Sequence, residues 1–242
     1  MDPKKRDPLL AAVCHDLRAP LAAVTMGASF VLQTTARDEA HARTVKVLEA
    51  VLRSCGQMER LIRNFGDLSA VEADAVELRP ATGSAKSMLE IAREAVKERA
   101  EAKRVEIAIE GDAERTEVVC DHERIVRALA HLLENAVAAA PEGTVVSARV
   151  EPRSDRVAFV ITDRGPALDP ELREHLFDRG WLTRRAGRIG VAFGLAIARG
   201  FARAHGGDVV LTSSAGDPTT FTLELPRPPS PQGSPSSTSP SS

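Results

Sequence analysis

The sequence predicts an α+β protein. A helical hairpin completes a dimeric four-helix bundle with a second copy, and an α/β layer of helices on a mostly antiparallel sheet follows it. Two observations carry this. Apolar residues recur at steps of three and four through the first 70 residues. Beyond them, short alternating segments interleave with amphipathic ones. Three segments result: 1–70 as the hairpin, 71–226 as the α/β domain, and a Pro/Ser-rich tail at 227–242 expected to be disordered.

The first helix runs from about Pro8 to Thr34. Leu10, Cys14, Leu17, Leu21, Val24, Ala28 and Val31 form its seam. Thr34 to Asp38 is a polar break. The second helix covers roughly Glu39 to Leu68, with Val45, Leu48, Leu52, Cys55, Ile62 and Phe65 on a less regular apolar face. One hairpin buries only one side of each stripe, so a homodimer is expected.

After Ser69 the pattern changes. Val76-Glu77-Leu78 is a strand candidate and Ser84 to Ala100 a helix. Arg104 to Ile109 alternates as a strand, and Thr116 to Cys120 is another. Asp121 caps a helix that reaches about Ala140. Pro141-Glu142-Gly143 turns the chain into two adjacent strands, Thr144 to Val150 and Arg156 to Thr162. A Gly/Arg/Pro-rich loop spans Asp163 to Gly190, with a short helix near Asp169 to Leu176. A helix at Phe193 to Ala204 and strands at Asp208 to Thr212 and Thr219 to Leu225 complete the order.

Composition narrows the function classes. Among 242 residues, 32 Lys and Arg balance 34 Asp and Glu, so nothing marks a bulk nucleic-acid binder. No apolar run is long enough to span a bilayer. Cys14, Cys55 and Cys120 show no metal-type spacing, and read as small core residues in a reducing, cytoplasmic compartment.

The chemistry-bearing residues fall in two groups. His15 adjoins Asp16 on the flank of the first seam, and Pro20 interrupts the helix five residues on. A carboxylate that engages one ring nitrogen leaves the other lone pair free to attack phosphorus. An ordinary surface histidine on a bundle helix fits the same residues. The second group lies in the α/β domain. Glu134-Asn135-Ala136 near a helix end offers an amide oxygen to a hard cation, with His131 one turn earlier. A packing or capping amide fits Asn135 equally. Asp163-Arg164-Gly165 follows a strand, so its carboxylate can accept an exocyclic amine while glycine lets backbone come close. Gly190 to Gly194, followed by Leu195, opens a helix whose N–H groups can hold phosphates. Arg184, Arg185 and Arg188 precede it, as phosphate contacts or as a solvated basic loop.

In this order the segments resemble the transmitter core of two-component sensor histidine kinases, from about Leu9 to Pro226. His15 to Leu21 is similar to that family's H box, His131 to Ala136 to its N box, and Asp163 to Ala167 and Gly190 to Gly194 to its two glycine boxes. Leu176-Phe177 with Trp181 is similar to part of its lid. The resemblance implies a dimeric helical hairpin followed by a Bergerat-type α/β sandwich that binds ATP. It implies adenine read by Asp163, Mg²⁺ held by Asn135 and His131, and nucleotide contacts from Gly165, Arg184, Arg185, Gly190, Gly194 and Leu195. His15 then attacks the γ-phosphate with Asp16 as general base, and the phosphoryl group passes to a response-regulator receiver domain.

Departures keep a second reading open. Ala167 and Ala192 stand where the family's glycine boxes usually carry a second glycine. A positive φ at either would cost about 1–2 kcal/mol. A catalytically impaired scaffold or phosphotransfer module is therefore the alternative. Ala19 stands where members with phosphatase activity usually carry Thr or Asn, so weak phosphatase activity is expected. Few residues precede the first heptad; either the chain is an excised core, or a separate sensor protein supplies the input.

Overall fold

The structure is a computed structural model. It describes residues 8–111, 116–178, 189–212 and 217–227, with backbone alone at 8–12 and 189–192. The tail expected to be disordered lies outside the described residues, apart from Arg227. The chain forms two compact units, Met1–Glu77 with Asp169–Ala204, and Leu78–Leu168 with His205–Ser242.

In the first unit, α1 (Pro8–Thr34) and α2 (Ala42–Glu72) pair as a hairpin. The second helix starts later than its sequence pattern suggests. Asp38 Oδ1 accepts the His41 N–H at 2.9 Å, closing a turn before the helix begins. Cys14, Leu21, Cys55 and Ile62 form the buried seam, with Val51 and Phe65 against it. The predicted α1 seam is divided: Leu17, Val24 and Val31 are exposed in the single chain. Val47, Met58 and Leu61 of α2 are exposed as well. Pro20 lies within α1, so the Asp16 carbonyl four residues earlier receives no helical N–H.

The same unit holds α5 (Pro170–Glu174), capped by Asp169, and α6 (Ile189–Ala204). Helix α6 packs on α2: Phe193 meets Phe65 edge-on at 5.1 Å between centroids. A Cβ on Gly200 would collide with the Val71 methyl groups, so glycine permits the close approach despite its poor helix propensity.

In the second unit, β1 (Ala81–Ser84) pairs antiparallel with β3 (Glu117–Cys120). The larger sheet combines β2 (Glu106–Glu110), β4 (Val145–Pro152), β5 (Arg156–Thr162), β6 (Asp208–Leu211) and β7 (Thr220–Pro226) in the order β2-β4-β5-β7-β6. Only β2 and β4 run parallel. Helices α3 (Ala85–Ala102) and α4 (His122–Ala139) pack together and against strands of this sheet. Their buried residues follow the helical period, from Met88, Ala92 and Val96 to Ile125, Leu129, Leu132 and Ala136.

Val76-Glu77-Leu78 is not a strand. Residues 75–80 are irregular, and the strand with a partner begins at Ala81. Local alternation cannot make a strand without a neighbour to bond. Asp121 fixes this region instead. Its Oδ1 accepts the Arg124 N–H at 3.1 Å, its Oδ2 accepts the Arg79 N–H at 3.0 Å, and its own N–H donates to His205 Nε2 at 2.9 Å. Burial pushes its carboxyl up, but the N–H bonds from Arg79 and Arg124 and the charge of Arg124 outweigh burial and hold it below the ordinary value.

A lowered carboxyl stabilises the fold above the ordinary aspartate pKa, and that contribution is lost as pH falls through the lowered value. Asp121→Ala is therefore expected to lose about 2 kcal/mol at neutral pH, read by urea unfolding. The gap should shrink in acid, below about pH 4. A neutral-pH loss under about 0.5 kcal/mol would contradict the assigned role.

Candidate phosphoacceptor and nucleotide site

His15 is on the open flank of α1, with 82% of its side chain exposed. Its Nδ1 lies 3.3 Å from Asp16 Oδ1, and among the described residues Nε2 has no hydrogen-bond partner. Cys14, the preceding residue, is buried at 4% exposure. One step of about 100° along a helix turns the chain from seam to solvent, which is what exposes His15. The arrangement ties one nitrogen and leaves the other lone pair open.

The end of β5 positions the nucleotide candidate Asp163 of the second unit. Residues 157 to 161 of β5 are all buried, so both faces of this strand are covered. Asp163 directly follows the strand, with its side chain buried at 1% exposure. The Asp163 N–H donates to the Thr219 carbonyl at 3.0 Å, which anchors the backbone. Its Oδ1 accepts the Gly165 N–H at 2.7 Å, and its Oδ2 is buried without a partner. Burial pushes this carboxyl up, only partly opposed by the Gly165 N–H and the Lys103 charge.

Gly165 is needed for space. A Cβ there would come within 2.7 Å of Asp163 Oδ1 and 2.9 Å of the Ala139 carbonyl. Backbone cannot yield as a side chain can. Its neighbour on α4 closes a row of positions four apart, His131, Asn135 and Ala139, all on one helix face. Asn135 Nδ2 is buried and unpartnered. His131 Nδ1 is 3.7 Å from Glu134 Oε2, and Arg99 pairs with the same carboxylate at 2.6 Å. Burial pushes Glu134 up, but His131 and Arg99 together hold it below the ordinary value.

Gly190, Gly194 and Leu195 belong to the first unit. They lie inside α6, whose first residue is Ile189, so the glycine-bearing segment is already helical. Gly194 and Leu195 are buried. Arg184, Arg185, Arg188 and Trp181 lie outside the described residues. Phe177 is within them, with the Arg199 guanidinium 4.5 Å over its ring. Among the described residues, Asp74 and Arg104 alone combine a side chain with positive φ. Ala167 has no positive φ, and Ala192 lies within α6, so this conformation does not incur the alanine strain considered from the sequence.

Sequence comparison speaks to the same two groups. Residues 5–74 match the His Kinase A (phospho-acceptor) domain, and residues 120–229 match the Histidine kinase-, DNA gyrase B-, and HSP90-like ATPase family. The first match contains His15 and the second contains Asn135 and Asp163. The chain belongs to the two-component sensor histidine kinases, as a transmitter core.

The Sensor-like histidine kinase SenX3 of Mycolicibacterium smegmatis is 29% identical to this transmitter core over 240 residues, covering 96% of the chain and 60% of the relative. The Histidine protein kinase DivJ of Caulobacter vibrioides is 27% identical over 220 residues, covering 90% of the chain and 36% of the relative. The chain thus spans less than two thirds of either relative's length. The crystal structure of full-length ShkA in complex with AMPPNP is similar at a TM-score of 0.70 and 25% identity, over 89% of this chain and 45% of that one.

Lys103 was missed by sequence reasoning, since a Lys-Arg pair after a helix reads as a solvated end. Its ammonium donates to the Val137 carbonyl at 2.9 Å and to the Ala138 carbonyl at 2.5 Å.

Asp163→Asn tests the buried charge. A carboxyl raised by burial weakens the folded state once ionised, so stability from its neutral form is lost as pH rises through the raised value. Without nucleotide, the variant should melt above wild type at neutral pH, with the difference vanishing below about pH 4. Thermal denaturation across that range measures it. A variant melting below wild type at neutral pH would contradict the assignment.

Proposed function

We propose that this chain is an ATP-dependent protein-histidine kinase that phosphorylates its own His15 and passes the phosphoryl group to an aspartate of a response-regulator receiver domain. The carrying observation is His15 itself: an imidazole in solvent, with Nδ1 against a carboxylate and Nε2 open.

Nε2 attacks the γ-phosphorus of ATP, the N–P bond forms, and the bond to the bridging oxygen breaks with ADP as leaving group. The ring becomes cationic as the bond forms. Asp16 stabilises that charge and takes up the Nδ1 proton.

In the nucleotide domain, Asp163 Oδ2 accepts the exocyclic amine of adenine, and Gly165 keeps the space for it open. The orphaned acceptor supports this, because a buried oxygen without a partner suits a ligand donor. Gly190, Gly194, Leu195, Arg184 and Arg185 are assigned to the nucleotide by their motif positions. For Mg²⁺, a single amide oxygen fits an ion that keeps waters and substrate phosphates as its other ligands, so Asn135 would hold it with His131 beside it. That ion would supply neutralisation of phosphate charge.

We assign 1–70 to dimerisation and phosphotransfer, 71–226 to catalysis, and 227–242 to a tail. A homodimer is supported by the exposed apolar stripes, Leu17, Val24 and Val31 on α1 with Val47, Met58 and Leu61 on α2. Among the described residues, no helix is long and apolar enough to cross a membrane. Three buried free cysteines support a reducing, cytoplasmic setting. A separate sensor protein as the source of input also belongs to this proposal.

Incubation with γ-labelled ATP and Mg²⁺ tests the proposal. Acid-labile, base-stable label is expected on the wild type and none on His15→Gln. Label that persists on His15→Gln would contradict phosphorylation at this residue. Unlabelled wild type that still dimerises would favour the scaffold reading.

A further inference from the structure

Helix α4 ends beside the buried Asp163 carboxylate, and that is electrostatically awkward. The last carbonyls of a helix lack N–H partners and carry negative partial charge. Ala139, the last α4 residue, has its carbonyl close against Gly165, whose N–H holds Asp163 Oδ1. Lys103 answers both problems at once. Its ammonium donates to the free carbonyls of Val137 and Ala138, and it is the charged group that acts on Asp163. Asp163 also meets the Thr219 carbonyl and the Gly165 N–H, neither of which carries a formal charge.

The backbone that delivers Lys103 is strained. Lys103 is the C-cap of α3, and Arg104 follows it at φ +54. The Arg104 N–H donates to the Glu101 carbonyl at 2.9 Å and the Val105 N–H to the Ala100 carbonyl at 2.8 Å, the Schellman pattern in which glycine is usual at the left-handed position. Arginine there is held by its ion pair with Glu142, and its carbonyl accepts the Gly143 N–H at 3.0 Å. The α3 end is thus fastened to the turn after α4, directly beneath the α4 terminus.

We propose that Lys103 is a positioning residue of the nucleotide site, tying off the α4 C-terminus so that the Ala139–Gly165 contact holds Asp163 in place for the adenine amine. This rests on the reading of Asp163 as the adenine acceptor. Lys103 itself touches no nucleotide.

The test is ADP binding to the full chain by titration calorimetry, with wild type, Lys103→Met, Lys103→Arg and Asp163→Asn, over a range of pH. Lys103→Met should weaken ADP by about tenfold, the effect of one lost charged hydrogen bond. It should also move the acid limb of ADP binding to higher pH, because Asp163 then ionises less readily. Lys103→Arg, which keeps charge and donors, should recover most of the affinity and the wild-type acid limb. A merely structural lysine would lower the melting temperature and affinity without moving that limb, and this outcome would overturn the proposal. So would unchanged affinity in Lys103→Met. Asp163→Asn separates the two levels: if it binds ADP like wild type, the adenine reading itself fails, and if it loses ADP while Lys103→Met does not, only the Lys103 proposal fails.

Discussion

Asp163 carries a carboxylate that the fold buries and satisfies on one side only. Oδ1 has the Gly165 N–H, while Oδ2 has nothing. Burying such a group unpaired costs a few kcal/mol, and a sheet could end on a leucine without that cost. The surroundings are arranged to keep the carboxylate rather than to silence it. A strand buried on both faces leads into it, the Thr219 carbonyl anchors its backbone, and Gly165 leaves room that any side chain would fill. The row His131, Asn135 and Ala139 then approaches the same loop along α4.

The hairpin obeys the opposite logic. Its reactive group stands in water, and its apolar residues are partly left there too. Cys14, Leu21, Cys55 and Ile62 close the seam within one chain, whereas Leu17, Val24 and Val31 stay exposed. A histidine one step from a buried seam residue is carried by a packed helix and still exposed to solvent.

The sequence made much of this legible, and for identifiable reasons. Heptads report the hairpin because seam and solvent alternate at a fixed angle, so His15 was found with its exposure. Asp121 was legible as a cap because capping is local, but its hold on Arg79 and His205 was not, since those partners lie 42 and 84 residues away. Val76-Glu77-Leu78 misled because pairing, not alternation, makes a strand. That one hairpin leaves part of the α1 stripe uncovered was legible, but which seam residues it covers was not: sequence marks residues as apolar without saying which partner covers each. Lys103 was illegible because its partners are backbone carbonyls of another helix, which no side-chain motif encodes.

The nucleotide assignment depends on one unpaired oxygen meeting one amine. The most direct measurement compares ADP with inosine diphosphate, which replaces the exocyclic amine by a carbonyl and leaves the phosphates unchanged. The account predicts that inosine diphosphate binds at least about a hundredfold more weakly, because its oxygen would face a carboxylate with no proton between them. Equal affinities for the two would contradict it.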